Sequence, residues 1–188
     1  MAFREVPHAP PSEAVLSAIT FAVKAHRNQT RKDGQTPYAA HPLRVMTILM
    51  LGFGVDDAEI LTIAALHDVI EDTTVDFDEV ADKFGPKVAR FVALLSKDGR
   101  LPEPEREPAY MEQIVNGPIA VKLCKLADAY DNLIDADTLP KKQKMRAIRK
   151  AEALVNALAG DFPEQYAHAL DLLRNLINES SGGLVQAE

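Results

Sequence analysis

Apolar residues recur three and four positions apart through most of this chain, and no stretch alternates apolar with polar as a half-buried strand does. That pattern points to an all-α fold. Only a helix, with its 3.6-residue repeat, gathers such positions onto one face for burial.

Local punctuation divides the pattern into segments. Ser12, after Pro10 and Pro11, is a good N-cap for a first helix that turns Val15, Leu16, Ile19, Ala22 and Val23 inward and fades near His26. Residues 28–40 are polar and contain Gly34 and Pro37, so they read as a loop. A second helix starts at His41-Pro42, where proline is tolerated in the first turn, and ends at Gly52 or Gly54. Asp56 and Glu59 read as a capping box for a third helix running to residues 67–72. Asp76 and Glu79 repeat that signal, Gly85 stops a short fourth helix, and Pro86 opens a fifth to about Ser96. Residues 97–108 hold Gly99, Pro102, Pro104 and Pro108, which predicts a mobile loop or lid and no regular helix. Helices follow over 109–116, 118–135, 141–158 and 163–178, and the tail after Ser180 is expected to fray. The expectation is one domain over residues 1–188, with a core of about 12–178 built from eight or nine helices.

Composition narrows the function. A chain of 188 residues, 47% apolar, can bury a core without disulfides. The single cysteine, Cys124, lies in an apolar helical stretch and reads as a core residue. A net charge of -7 argues against nucleic-acid binding through a broad basic face. It leaves room for a small anionic ligand, because a metal ion and a few local cations override the overall field. No apolar run approaches the ~20 residues of a membrane span, and the N-terminus lacks a signal peptide's apolar stretch. A cytoplasmic protein with no membrane contact is expected, and its oligomeric state stays open.

The chemistry concentrates in three places. In Leu66-His67-Asp68-Val69-Ile70-Glu71-Asp72, helical spacing puts His67 on a face with Glu71, and Asp68 with Asp72. One imidazole and three carboxylates then crowd a helix end that prefers cations. A divalent ion such as Mn²⁺, Fe²⁺, Zn²⁺ or Co²⁺ relieves that conflict and suits these ligands. The plain alternative is a solvated helix end. His41 heads a helix, where a lone histidine more often caps or packs. Asp128 follows apolar Leu123, Leu126 and Ala127, so its carboxylate needs a partner. A metal supplies one, and a salt bridge to Lys125 is the alternative. Asn132 shares the face of Asp128, with Asp131 beside it.

Four segments in order carry a resemblance: Ala25-His26-Arg27-Asn28-Gln29-Thr30-Arg31-Lys32-Asp33-Gly34; Thr36-Pro37-Tyr38 with His41-Pro42; His67-Asp68-Val69-Ile70-Glu71-Asp72-Thr73; and Lys125-Leu126-Ala127-Asp128 with Asn132. Over residues 12–135 they resemble the HD superfamily. More closely, they resemble the hydrolase domain of the RelA/SpoT family and its stand-alone small alarmone hydrolases, metazoan SpoT homologues among them. The resemblance implies an all-α HD bundle with His41, His67, Asp68 and Asp128 as ligands of a metal, commonly Mn²⁺. It implies that Glu71 and Asp72 organise or activate the attacking water. The implied substrate is guanosine tetra- or pentaphosphate (ppGpp or pppGpp), cleaved at the 3′-pyrophosphate to GDP or GTP. Arg31 would pack on the base beside Lys32, and Asn132 would contact the sugar or its phosphate.

Departures matter too. Ala129-Tyr130-Asp131 stands where the family more often has a basic and then an aliphatic or aromatic residue, so Asp131 is expected to alter substrate handling. The cluster Lys141, Lys142, Lys144, Arg146, Arg149 and Lys150 could meet 5′-phosphates, although a solvated face is the plainer reading. His26 is expected to support the site by packing, and His8 and His168 to lie on the surface. A chain of 188 residues leaves no room for a synthetase domain, so hydrolysis without synthesis is expected. The alternatives are an HD phosphohydrolase acting on another nucleotide (ppApp, or the 2′-phosphate of NADPH) and a non-catalytic nucleotide- or partner-binding module. An antitoxin role is a further variant.

Overall fold

The computed structural model describes residues 12–185; His8, Pro10 and Pro11 lie outside them. Every segment expected to be helical contains a helix. In chain order these are α1 (Glu13–Ala25), α2 (Ala40–Thr47), α3 (Ala58–Leu66), α4 (Val69–Asp72), α5 (Phe77–Phe84), α6 (Pro86–Leu94), α7 (Glu103–Asn116), α8 (Ile119–Asp135), α9 (Lys141–Leu158) and α10 (Ala167–Val185). A π-helical turn, Ile48–Gly52, extends α2. Among the described residues there is no strand, only one isolated bridge between Thr30 and Pro37. None of these helices is long and apolar enough to cross a membrane.

The helix α3 lies at the centre. All seven residues from Ile60 to Leu66 are buried, the signature of a helix covered on every side. It packs against α1, α2, α6 and α8. The second long core helix, α8, also meets α2, α6, α7, α9 and α10. One continuous apolar core joins Val15 of α1 to Ile177 of α10 and includes Cys124.

Several local expectations change. On α1 the inward face is Val15, Ala18 and Ala22, whereas Leu16 and Val23 are 51% and 42% exposed. Two alanines let α1 approach α3 closely, and that contact fixes the rotation of the helix. Asp57, not Asp56, caps α3: its side chain accepts the N–H groups of Glu59 and Ile60 at 2.7 and 3.2 Å. Asp76 caps α5 as expected, accepting the Glu79 N–H at 2.9 Å. Helix α7 begins at Glu103, inside the segment read as a loop, so only residues 97–102 are irregular. Pro104 occupies the first turn, where its missing N–H costs nothing, and Pro108 sits just beyond it, so only one intrahelical bond is lost. At the other end, α10 starts later than Pro163 and continues past Ser180, which is buried.

The most consequential change is at His67-Asp68, where the expected single helix divides into α3 and the one-turn α4. Asp68 takes φ -104° and ψ -5°. Adjacent residues of a regular helix point about 100° apart. The break lets His67 and Asp68 aim into the same space.

Candidate functional site

Three helix ends and one loop meet beside α8. His41, in the first turn of α2, and His67, at the end of α3, are both almost fully buried, and their Nε2 atoms lie 3.2 Å apart. Asp68 Oδ2 is 3.4 Å from His41 Nε2 and 3.1 Å from His67 Nε2. From α8, Asp128 Oδ1 lies 3.1 Å from His41 Nε2 and 3.9 Å from His67 Nε2. Ligand atoms of His41, His67 and Asp128 all fall within 4.8 Å of one another, which suits a single metal ion. Two imidazoles and two carboxylates converging on one point are a mixed nitrogen–oxygen donor set for a divalent transition metal. These are the four residues singled out from the sequence, and the fold brings them together.

The electrostatics fit such an ion. Burial pulls the His41 pKa down, but the carboxylates of Asp128, Asp131 and Asp68 prevail and raise it to about 11. His67 is raised too, by Asp68 above all, against the pull of burial. Burial opposes ionisation of Asp68 and Asp128, yet the histidines hold the Asp68 carboxyl, and Lys125 with the histidines the Asp128 carboxyl, below the ordinary range.

Each ligand is fixed from behind. The His67 Nδ1–H donates to the Ala64 carbonyl at 2.8 Å. The His41 Nδ1–H donates to Asp131 Oδ2 at 2.6 Å. Asp131 is fully buried, so any influence it has on substrate handling passes through His41. The salt bridge weighed against a metal at Asp128 is also present: Lys125 Nζ lies 2.6 Å from Asp128 Oδ2, leaving Oδ1 for the histidines. The two readings are compatible because a carboxylate has two oxygens.

The carboxylates after the HD pair diverge. Asp72 stays with Asp68, and the Tyr38 hydroxyl is shared between their Oδ2 atoms at 2.8 and 2.6 Å. Burial and these carboxylates push the Tyr38 pKa up, so the hydroxyl remains a donor. Glu71 does not pair with His67 as a continuous helix would require. It accepts the Lys97 backbone N–H at 3.0 Å, with Lys97 Nζ at 3.5 Å.

A cavity of about 1030 Å³ opens over this floor. Asp68, Glu71, Asp72 and Asp128 line one part, Arg31, Lys32 and Asn132 another, and Arg146, Arg149 and Lys150 of α9 a third. Arg31 is held against α8. Its guanidinium donates to Asp135 Oδ2 at 2.9 Å and Asn132 Oδ1 at 3.0 Å, and lies 5.4 Å from the centre of the Tyr38 ring. Asn132 in turn donates to Asp128 Oδ1. Lys32 is exposed at the rim. Part of the α9 cluster is paired elsewhere, Lys150 with Glu107 and Lys144 with Asp137, each at 2.7 Å.

His26 packs as expected, stacked on Tyr38 at 4.6 Å with Nδ1 2.7 Å from Gln29 Oε1, and His168 is exposed. Tyr38, Lys97 and Arg44 have no assigned role in the sequence pattern. Tyr38 meets Asp68 across 30 positions and Lys97 meets Glu71 across 26, and no local spacing encodes such contacts.

Comparison with known proteins is consistent with this geometry. A family model described as an HD domain matches residues 18–161. The human guanosine-3′,5′-bis(diphosphate) 3′-pyrophosphohydrolase MESH1 is 43% identical over 122 residues, covering 64% of this chain and 68% of that protein. The Brucella melitensis GTP pyrophosphokinase rsh is 33% identical over 156 residues, 79% of this chain but 20% of that protein. A solved metazoan orthologue of SpoT, described as hydrolysing ppGpp and playing a role in starvation responses, superposes with a TM-score of 0.82. It is 32% identical, and the match covers 91% of this chain and 97% of that one.

Proposed function

The chain belongs to the HD-domain family, and on that premise we propose that it is a divalent-cation-dependent hydrolase that removes the 3′-pyrophosphate of ppGpp and pppGpp. One observation carries the reading: His41, His67, Asp68 and Asp128 converge beneath a nucleotide-sized cavity whose mixed walls set Arg31, Lys32, Arg146 and Arg149 among apolar side chains. The similarity to MESH1 supports the choice of substrate. The net charge of -7 supports a small nucleotide over a nucleic acid. The continuous core supports treating residues 12–178 as one hydrolase domain.

The four residues would hold the cation, and their nitrogen–oxygen set suits Mn²⁺. When bound, such an ion supplies Lewis acidity, lowering the pKa of water and polarising a phosphoryl oxygen. The protein's own groups do the rest. Asp72, one turn beyond Asp68, and Glu71, which also lines the cavity, would orient the attacking water and take its proton. The Tyr38 hydroxyl holds Asp68 and Asp72 in register. Lys125 keeps Asp128 ionised. Arg31 would meet the purine face with its flat guanidinium, Lys32 would bring a mobile charge, and Asn132 would reach the ribose or its phosphate with the amide hydrogen that Asp128 does not take.

The test is a panel of ppGpp, pppGpp, ppApp and NADPH incubated with the Mn²⁺-loaded protein and its Asp68→Ala variant. The expected result is pyrophosphate from ppGpp and pppGpp with wild type and none with the variant. Phosphate from NADPH with both guanosine substrates intact would overturn the substrate assignment. No turnover of any nucleotide would favour a binding module.

A further inference from the structure

Behind His41 lies an arrangement outside the four-residue cluster. His41 and Arg44 stand three residues apart on α2, so they share a face, and both reach the same carboxylate on α8. Asp131 Oδ2 accepts the His41 Nδ1–H at 2.6 Å, and Asp131 Oδ1 lies 2.6 Å from Arg44 Nε. Asp131 is 0% exposed, whereas the Arg44 side chain is 38% exposed and also reaches Asp135 Oδ1 at 2.8 Å. Arg31 approaches the same carboxylate at 3.6 Å. A carboxylate buried this deeply is costly unless paired. Arg44 provides that pairing from the solvent side, and Asp131 spends its second oxygen on the imidazole.

That bond decides which nitrogen of His41 is available. With Nδ1–H directed at Asp131, Nε2 is left as the atom facing His67, Asp68 and Asp128. His67 is held by a neutral backbone carbonyl instead, so the two imidazoles differ in basicity. A carboxylate behind a ligating histidine fixes its tautomer and makes it a stronger donor.

We propose that Asp131, itself held by Arg44, is a positioning residue that sets the His41 tautomer and tightens divalent-cation binding. This inference rests on the metal-site part of the function proposed above. It does not depend on which nucleotide is cleaved.

The experiment is Mn²⁺ titration of the metal-free protein without nucleotide, on wild type, Asp131→Asn, Arg44→Gln and the double variant. Thermal midpoints of the metal-free proteins are recorded alongside. Asp131→Asn is expected to weaken Mn²⁺ binding by about 10–100-fold while remaining folded. Arg44→Gln, at a partly exposed position, is expected to give a smaller loss in the same direction. If Arg44 acts through Asp131, the double variant binds no more weakly than Asp131→Asn alone, a non-additivity that independent structural damage does not produce. Wild-type Mn²⁺ affinity in folded Asp131→Asn overturns the inference and leaves the hydrolase reading intact. Additive losses in the double variant overturn the role given to Arg44. A wild-type protein that takes up no divalent cation overturns both the inference and the metal site.

Discussion

At the scale of single residues the site is a contest between protons and a cation. In the metal-free protein His41 is raised from its ordinary 6.5 to about 11. A group raised on folding contributes stability that is complete below the unfolded value and fades as the pH climbs through the folded one. Between those values the folded protein holds a proton that the unfolded chain has released. A metal ion needs the unprotonated Nε2 and must displace that proton. Mn²⁺ binding at pH 7.5 is therefore predicted to release at least one proton, and the apparent affinity is predicted to rise with pH. Calorimetric titration in buffers of different ionisation enthalpy measures the release, and zero protons would contradict this picture. Much of this chemistry is legible in sequence. His67-Asp68 and Asp128 stand out because each sets a polar group against an apolar helical stretch. Arg44 and Tyr38 do not stand out, because Arg44 meets Asp135 from 91 positions away and Tyr38 meets Asp72 from 34.

At the scale of elements, helix positions were readable and helix interruptions were not. The repeat of apolar residues located α8 and α9 almost to the residue, because long helices repeat one signal many times. The division between α3 and α4 left no such trace. Glu71 and Asp72 are compatible with a continued helix, and only the convergence of His67 and Asp68 on a shared centre explains the break. Three prolines obscured the start of α7 for the opposite reason. Proline fits a first turn and costs a hydrogen bond beyond it, as Pro108 does in α7, and sequence alone did not say where the turn began. Gly85 was readable as a stop, and its structural role is sharper. It joins α5 to α6 at φ 89° and ψ 154°, a region open essentially to glycine alone. A Cβ there meets nothing within 4 Å, so Gly85→Ala pays in backbone strain and not in collision. Its predicted cost is about 1–3 kcal/mol, read as a lower denaturant midpoint at an unchanged slope. A wild-type midpoint would mean that the link relaxes to another conformation.

At the scale of the molecule, the bundle assembles a polar centre from segments far apart in the chain. The π-turn after α2, the break after α3 and the docking of α1 on α3 hold the loop of Arg31, the histidines and α8 in one place. Half of that centre lies on α8, where Lys125, Asp128, Asp131, Asn132 and Asp135 occupy successive turns of a helix buried on its other side. The sequence indicated this concentration and the all-α class. It did not show that Asp131 turns inward to His41, because that direction depends on how α2 packs against α8. The central claim is that one divalent cation belongs among His41, His67, Asp68 and Asp128. The most direct measurement is anomalous scattering from Mn²⁺-soaked crystals. A strong peak is predicted, bounded by the two Nε2 atoms and the carboxylates of Asp68 and Asp128, and absent in Asp68→Ala. A peak elsewhere, or an unchanged peak in that variant, would contradict it.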